Sequence, residues 1–89
     1  MFAKNGNRSV RFCYKPVGRP REVSLAGSFS GWKPVTMRKQ KDGTYAANVQ
    51  ADPGTHEYKF IVDGNWVNDP DNQATARNPY GTTNSMASL

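Results

Sequence analysis

Residues 55–67 read Thr-His-Glu-Tyr-Lys-Phe-Ile-Val-Asp-Gly-Asn-Trp-Val, and no other segment narrows the choice of fold as far. Tyr58, Phe60 and Val62 recur at every second position, the period of a strand with one face in a core. Asp63-Gly64 follows at once, and glycine tolerates the positive φ that a two-residue hairpin turn demands. With Asp63 and Gly64 at the two central positions, Val62 faces Asn65, Ile61 faces Trp66 and Phe60 faces Val67. Val67 then joins the core face. Lys59, Ile61 and Trp66 are driven onto the opposite face, with cross-strand neighbours roughly 5 Å apart and diagonal ones roughly 7–8 Å.

The rest of the chain has the same grammar. No stretch sustains helical periodicity, and short alternating runs are separated by turn signals. Ser9–Lys15 places Val10, Phe12 and Tyr14 on one face, and Pro16–Pro20 ends it. Arg21–Gly27 places Val23 and Leu25 inward. Ser28-Phe29-Ser30-Gly31-Trp32 is a loop, and Val35–Lys39 is a short strand with Met37 as its core residue. Lys41-Asp42-Gly43 is a turn, and Tyr45–Gln50 is a strand with Tyr45, Ala47 and Val49 on one face. Asp52-Pro53-Gly54 turns into the hairpin. Asp69–Gly81 reads as loop, and Asn84–Leu89 closes the sheet. This spacing predicts an all-β sandwich formed by residues 1–89 as one domain.

Length favours a binding surface over a deep catalytic cleft. A chain of 89 residues buries a limited core, with stability on the order of 5 kcal/mol. The net charge of +5 is unevenly spread: residues 1–45 hold ten Lys and Arg against two acids, and residues 46–89 hold two against five. A basic half can attract nucleic acid, phosphorylated glucan or an acidic partner. The cations are scattered, however, and no aromatic–basic stripe follows one strand, so nucleic acid is not the expected ligand. The single Cys13 has neither a disulfide partner nor a metal-ligand companion and reads as a strand filler. No apolar run approaches the length of a membrane span and the N-terminus lacks an apolar leader, so the expected setting is cytoplasmic, away from membranes.

Catalytic chemistry finds no support. His56 has no Asp–Ser or Cys partner in a nucleophilic arrangement. Asp63 belongs to its turn and Asp69 to an Asp-Pro loop, not to a hydrolytic carboxylate pair. No acidic metal loop or His/Cys cluster is present, so neither metal nor cofactor is expected. The tryptophans carry more information. Trp32 sits in a polar, Gly-containing loop, and Trp66 is pushed off the core beside Lys59. A pyranose packs its C–H face on an aromatic ring, and its hydroxyls need partners such as Lys, Asn and Thr. Two indoles set at an angle suit a curved α-glucan.

These residues also resemble a known family. Val23-Ser24-Leu25-Ala26-Gly27-Ser28-Phe29-Ser30-Gly31-Trp32 is similar to its V-x-L-x-G-x-F-x-x-W motif. Met37, Asp42-Gly43, Pro53 to Trp66, Asp69-Pro70 and Asn78 to Ser85 follow in the family's order. Together they resemble the family-48 carbohydrate-binding module, the early-set or isoamylase N-terminal domain. Within it, the pattern is most like the glycogen-binding domain of the AMP-activated protein kinase β subunit. The resemblance implies an immunoglobulin-like antiparallel β-sandwich that binds α-1,4-linked glucan without catalysis. It implies a binding set of Trp32, Trp66, Lys59, Asn84, Thr82 and, where the kinase domain commonly has an inserting leucine, Tyr80. An alternative stays open: a scaffold domain that docks on a catalytic or kinase partner without holding sugar.

Overall fold

The 55–67 hairpin forms in the expected register, with Phe60 opposite Val67, Ile61 opposite Trp66 and Val62 opposite Asn65. The structure is a computed structural model that describes residues 1–6 and 8–89. Its strands are β1 (Phe2–Lys4), β2 (Ser9–Tyr14), β3 (Val23–Gly27), β4 (Val35–Thr36), β5 (Arg38–Lys39), β6 (Tyr45–Gln50), β7 (Thr55–Val62), β8 (Asn65–Val67), β9 (Thr75–Arg77) and β10 (Thr83–Ser88). They make two antiparallel sheets, β1-β2-β6-β5 and β4-β3-β7-β10-β9, with β8 paired to β7. The all-β sandwich read from the alternating runs is the architecture observed.

Packing follows the alternation. Val10 and Phe12 from β2, Tyr45 and Ala47 from β6, Val23 and Leu25 from β3, and Tyr58 and Phe60 from β7 are all buried in one cluster. Aromatic edges hold the sheets together: Phe12 meets Tyr58 edge-on at 4.8 Å between centroids, and Tyr14 meets Phe60 at 5.0 Å. Such pairs contribute about 0.5–1.5 kcal/mol beyond their area burial.

Three elements differ from the sequence reading. Residues 35–39 are not one strand. Val35 pairs with Leu25 in one sheet, and Arg38 pairs with Ala46 in the other. Met37 lies buried at the crossing, and its N–H donates to the Val23 carbonyl at 2.9 Å. Phe2–Lys4 forms β1 along β2, and Thr75–Arg77 forms β9 inside the segment expected to be loop. Strands of three residues carry too little periodicity to be seen, and both borrow their register from a longer neighbour.

Asp69 does more than shape an Asp-Pro turn. Its buried carboxylate accepts from the Tyr58 hydroxyl at 2.7 Å and from the Asp71 N–H at 2.9 Å, and the Met1 amino group reaches it. Asn72 Nδ2 donates to the same Tyr58 oxygen at 2.9 Å. Burial pushes the Tyr58 phenol above its ordinary pKa, and the bond to Asp69 adds to the rise. A raised folded pKa favours the protonated phenol, so this contribution is complete below about pH 10 and is lost as pH climbs past the unfolded value. Tyr58→Phe leaves the Asp69 carboxylate short of a donor and should destabilise the fold by about 1–3 kcal/mol at neutral pH. Urea melts repeated from pH 7 upward should show the gap between the two proteins closing above about pH 10.

Candidate functional site

β7 organises the site because it has neighbours on both edges. β3 runs along one edge, from Val23 opposite Val62 to Gly27 opposite Tyr58. β8 and β10 share the other edge end to end, β8 beside residues 60–62 and β10 beside residues 55–58. Side chains alternate, so Tyr58 and Phe60 enter the core while Glu57, Lys59 and Ile61 lie on the outer face. Trp66, opposite Ile61, stands on that outer face and is 49% exposed.

The turn that delivers Trp66 is anchored. Asp63 and Gly64 both have positive φ, 48° and 85°, the combination a tight hairpin turn requires. Asp63 Oδ1 accepts from the N–H groups of Arg21 and Glu22, both at 2.8 Å. The hairpin is thus tied to the entrance of β3, the strand that leads to Trp32.

Trp32 reaches the site by a different route. After β3 the chain makes a 3₁₀ turn over Ser28–Ser30. Gly31 (φ 62°) and Trp32 (φ 63°) then both adopt the left-handed conformation. A bulky residue rarely occupies that region, and the surroundings must hold it there. The Trp32 N–H donates to the Gly27 carbonyl at 2.9 Å, and the Ser30 hydroxyl bonds to the Gly27 and Lys33 carbonyls at 3.1 and 3.0 Å. Gly27 must itself be glycine, because a Cβ there would lie 2.5 Å from the Phe29 ring and 2.8 Å from the Glu57 carbonyl oxygen. Phe29 in turn packs on Phe12 at 5.2 Å. The loop's first aromatic is a core anchor, and its second is left 37% exposed.

The two indoles meet. Their ring centroids are 6.4 Å apart with the planes inclined at 45°. They line a groove of about 630 Å³ together with Lys59, Glu57, Asn84, Arg77, Asn78, Pro79 and Tyr80. Tyr80 is 90% exposed on the loop between β9 and β10. Of the six residues expected from the sequence, five line the groove: Trp32, Lys59, Trp66, Tyr80 and Asn84.

Thr82 does not line it. Asn78 holds the loop around it: the Thr82 N–H donates to Asn78 Oδ1 at 3.2 Å, Asn78 Nδ2 donates to the Thr82 hydroxyl at 2.7 Å, and the Asn78 N–H donates to the Thr82 carbonyl at 2.9 Å. Asn78 Oδ1 also accepts the Tyr80 N–H at 3.0 Å. Asn84 is only 7% exposed; its Nδ2 donates to Glu57 Oε1 at 3.0 Å, and its Oδ1 accepts from Asn78 Nδ2 at 3.3 Å.

Glu57, Arg77, Asn78 and Pro79 were not among the residues expected at the site. Glu57 had a visible signal, since it sits two positions from Lys59 on the same strand face. Arg77 has none, because a three-residue strand shows no alternation of its own. The ring nitrogens of His56 contact Ser28 Oγ at 3.1 Å and the Asp52 carbonyl at 2.8 Å, which links the 3₁₀ turn to the Asp52-Pro53-Gly54 turn.

Residues 8–89 match the profile described as the glycogen recognition site of AMP-activated protein kinase. The rice (Oryza sativa subsp. japonica) protein FLOURY ENDOSPERM 6, chloroplastic, is 50% identical over 50 residues, 55% of this chain and 10% of that protein. The pig (Sus scrofa) 5'-AMP-activated protein kinase subunit beta-1 is 32% identical over 73 residues, 82% of this chain and 58% of that sequence. The chain thus spans less than two thirds of the length of these relatives. Among solved structures, the maltogenic amylase from S. marinus superposes with a TM-score of 0.83 at 21% identity, over 100% of this chain and 16% of that one. At that identity the likeness speaks for the fold.

Indoles this close and this inclined couple electronically. Far-ultraviolet circular dichroism should show an exciton couplet, and Trp32→Phe or Trp66→Phe should each remove it while the thermal melt stays cooperative. Its absence from the wild-type spectrum would contradict the pairing.

Proposed function

We propose that this chain, which belongs to the family of the AMP-activated protein kinase glycogen recognition site, holds α-1,4-linked glucan in the groove of Trp32 and Trp66. Its role is binding, not catalysis. The observation that carries the reading is the inclined indole pair, exposed on the outer face of a sheet whose inner face is the core.

The mechanism follows from the surfaces in contact. The apolar faces of two successive glucose units rest on the two indoles, and the inclination between the rings matches a polymer that bends. Covering about 80 Å² of apolar surface at one indole contributes about 2 kcal/mol at about 25 cal/mol per Å². Lys59 donates to sugar hydroxyls from the groove floor. Asn84, pinned by Glu57 and Asn78, offers a fixed amide at the rim. Tyr80, presented on the Asn78-braced loop, closes over the ligand from the third side. Thr82 accepts from Asn78, so its own O–H is free to donate to a hydroxyl at the edge. The ligand is polar and must give up water, so affinity falls between about micromolar and millimolar.

A second reading concerns what the module is attached to. The similarity to subunit beta-1 of a kinase, over 82% of this chain, supports a kinase partner for the protein that carries it. The unpaired Cys13 supports a reducing compartment, such as the cytoplasm; the rice relative is named as chloroplastic.

Titration with β-cyclodextrin and maltoheptaose tests the glucan reading. Both sugars should change the tryptophan fluorescence saturably, and Trp32→Ala and Trp66→Ala should each weaken binding by at least about ten-fold, as the loss of one stacking surface requires. No response at millimolar sugar from a folded protein would leave the partner-docking reading in its place.

A further inference from the structure

The groove carries more positive charge than a neutral sugar needs. Its charged side chains are Lys59, Arg77 and Glu57. Glu57 is already engaged, with Oε1 accepting from Asn84 Nδ2 at 3.0 Å. Among the described residues the ion pairs join Met1 to Asp69 and Arg8 to Asp52, so neither groove cation is paired. Lys33, the residue after Trp32, is exposed and unpaired as well. Arg77 ends β9 and is exposed immediately before the Asn78-braced loop that presents Tyr80.

We propose that the groove prefers α-glucan that carries phosphate monoesters, with Arg77 as the phosphate-binding residue and Lys59 as a second positive charge. The inference rests on the glucan reading of the same groove. A guanidinium presents two parallel N–H donors that match two phosphate oxygens, and it stays charged at any relevant pH. An ammonium acts as a compact point charge beside it. The phosphate brings about −1.5 to −2 charges to a ligand whose sugar rings the indoles already hold, so it needs no pocket of its own. The net charge of +5 favours the approach of an anionic polymer.

Affinity electrophoresis in gels of phosphorylated amylopectin, and of the same polymer after phosphatase treatment, separates the two readings. The wild type should bind the phosphorylated polymer about three- to ten-fold more tightly at low salt, the range of a partly exposed charge-assisted contact. That preference should vanish near 1 M salt, where the Debye length is about 3 Å. In Arg77→Gln the ratio of the two affinities should fall to about one, with an unchanged melt; Arg77→Lys should keep part of it. Equal retention by both polymers would overturn the phosphate preference and leave the glucan reading standing. A preference that survives in Arg77→Gln would remove Arg77 from the proposal. Inhibition by inorganic phosphate as strong as that by the phosphorylated polymer would show a free-anion site and overturn the glucan-borne source. Retention of neither polymer would defeat both readings.

Discussion

The two-sidedness of one strand governs this molecule. β7 has eight residues and three partners, and its side chains alternate between an interior that must be apolar and an exterior that need not be. Tyr58 ties it to the facing sheet by an edge-on contact with Phe12, and Phe60 does so by a tilted contact with Tyr14. Because those residues are fixed inward, Lys59 cannot be anywhere but outside. A slip of one residue in the register of β7 would exchange the two faces, losing the core and the groove together. Stability and binding are therefore coupled through backbone geometry, although they use different side chains.

The two tryptophans reach the groove by unlike means. Trp66 is placed by register, two residues past a turn whose Asp63 is bonded to the start of β3. Trp32 is placed by conformation, at the second of two left-handed residues. The strain at Trp32 is balanced by the packing beneath it. Phe29 fills the space where Gly27 lacks a side chain and seats its ring near Phe12, so the loop cannot relax without opening the core. The exposed ring depends on the buried one.

Charge is arranged with similar economy at the third wall. Asn78 serves Tyr80, Thr82 and Asn84 through one side chain, and Asn84 passes the connection to Glu57 on β7. The loop between β9 and β10 is thereby linked to the sheet floor by side-chain hydrogen bonds. Such a network holds the shape of a site that has little backbone pairing of its own. Among the described residues, Lys59 and Arg77 line the groove without an ion-pair partner, which gives the indole platform a positive sign.

The sequence by itself determined the hairpin register, the inward residues of β2, β3, β6 and β7, and the presence of Trp66 and Lys59 on one outer face. Those features rest on a period of two and a turn with one workable geometry, and both are local. Trp32 is legible as a tryptophan in a polar, Gly-containing loop, and Tyr80 and Asn84 through motif likeness, since spacing along the chain does not say where a loop returns. Tertiary structure decided the rest: the division of residues 35–39 between two sheets, the pairing of β1 and β9, the absence of Thr82 from the groove lining, and the arrival of Arg77 in the groove. These depend on how separate segments meet, and three-residue strands or single polar side chains gain too little from their own run of residues to be specified without it. The distance and tilt between the indoles belong to this second kind, because one ring is set by a sheet register, the other by a loop folded onto the core, and the sandwich alone brings them together.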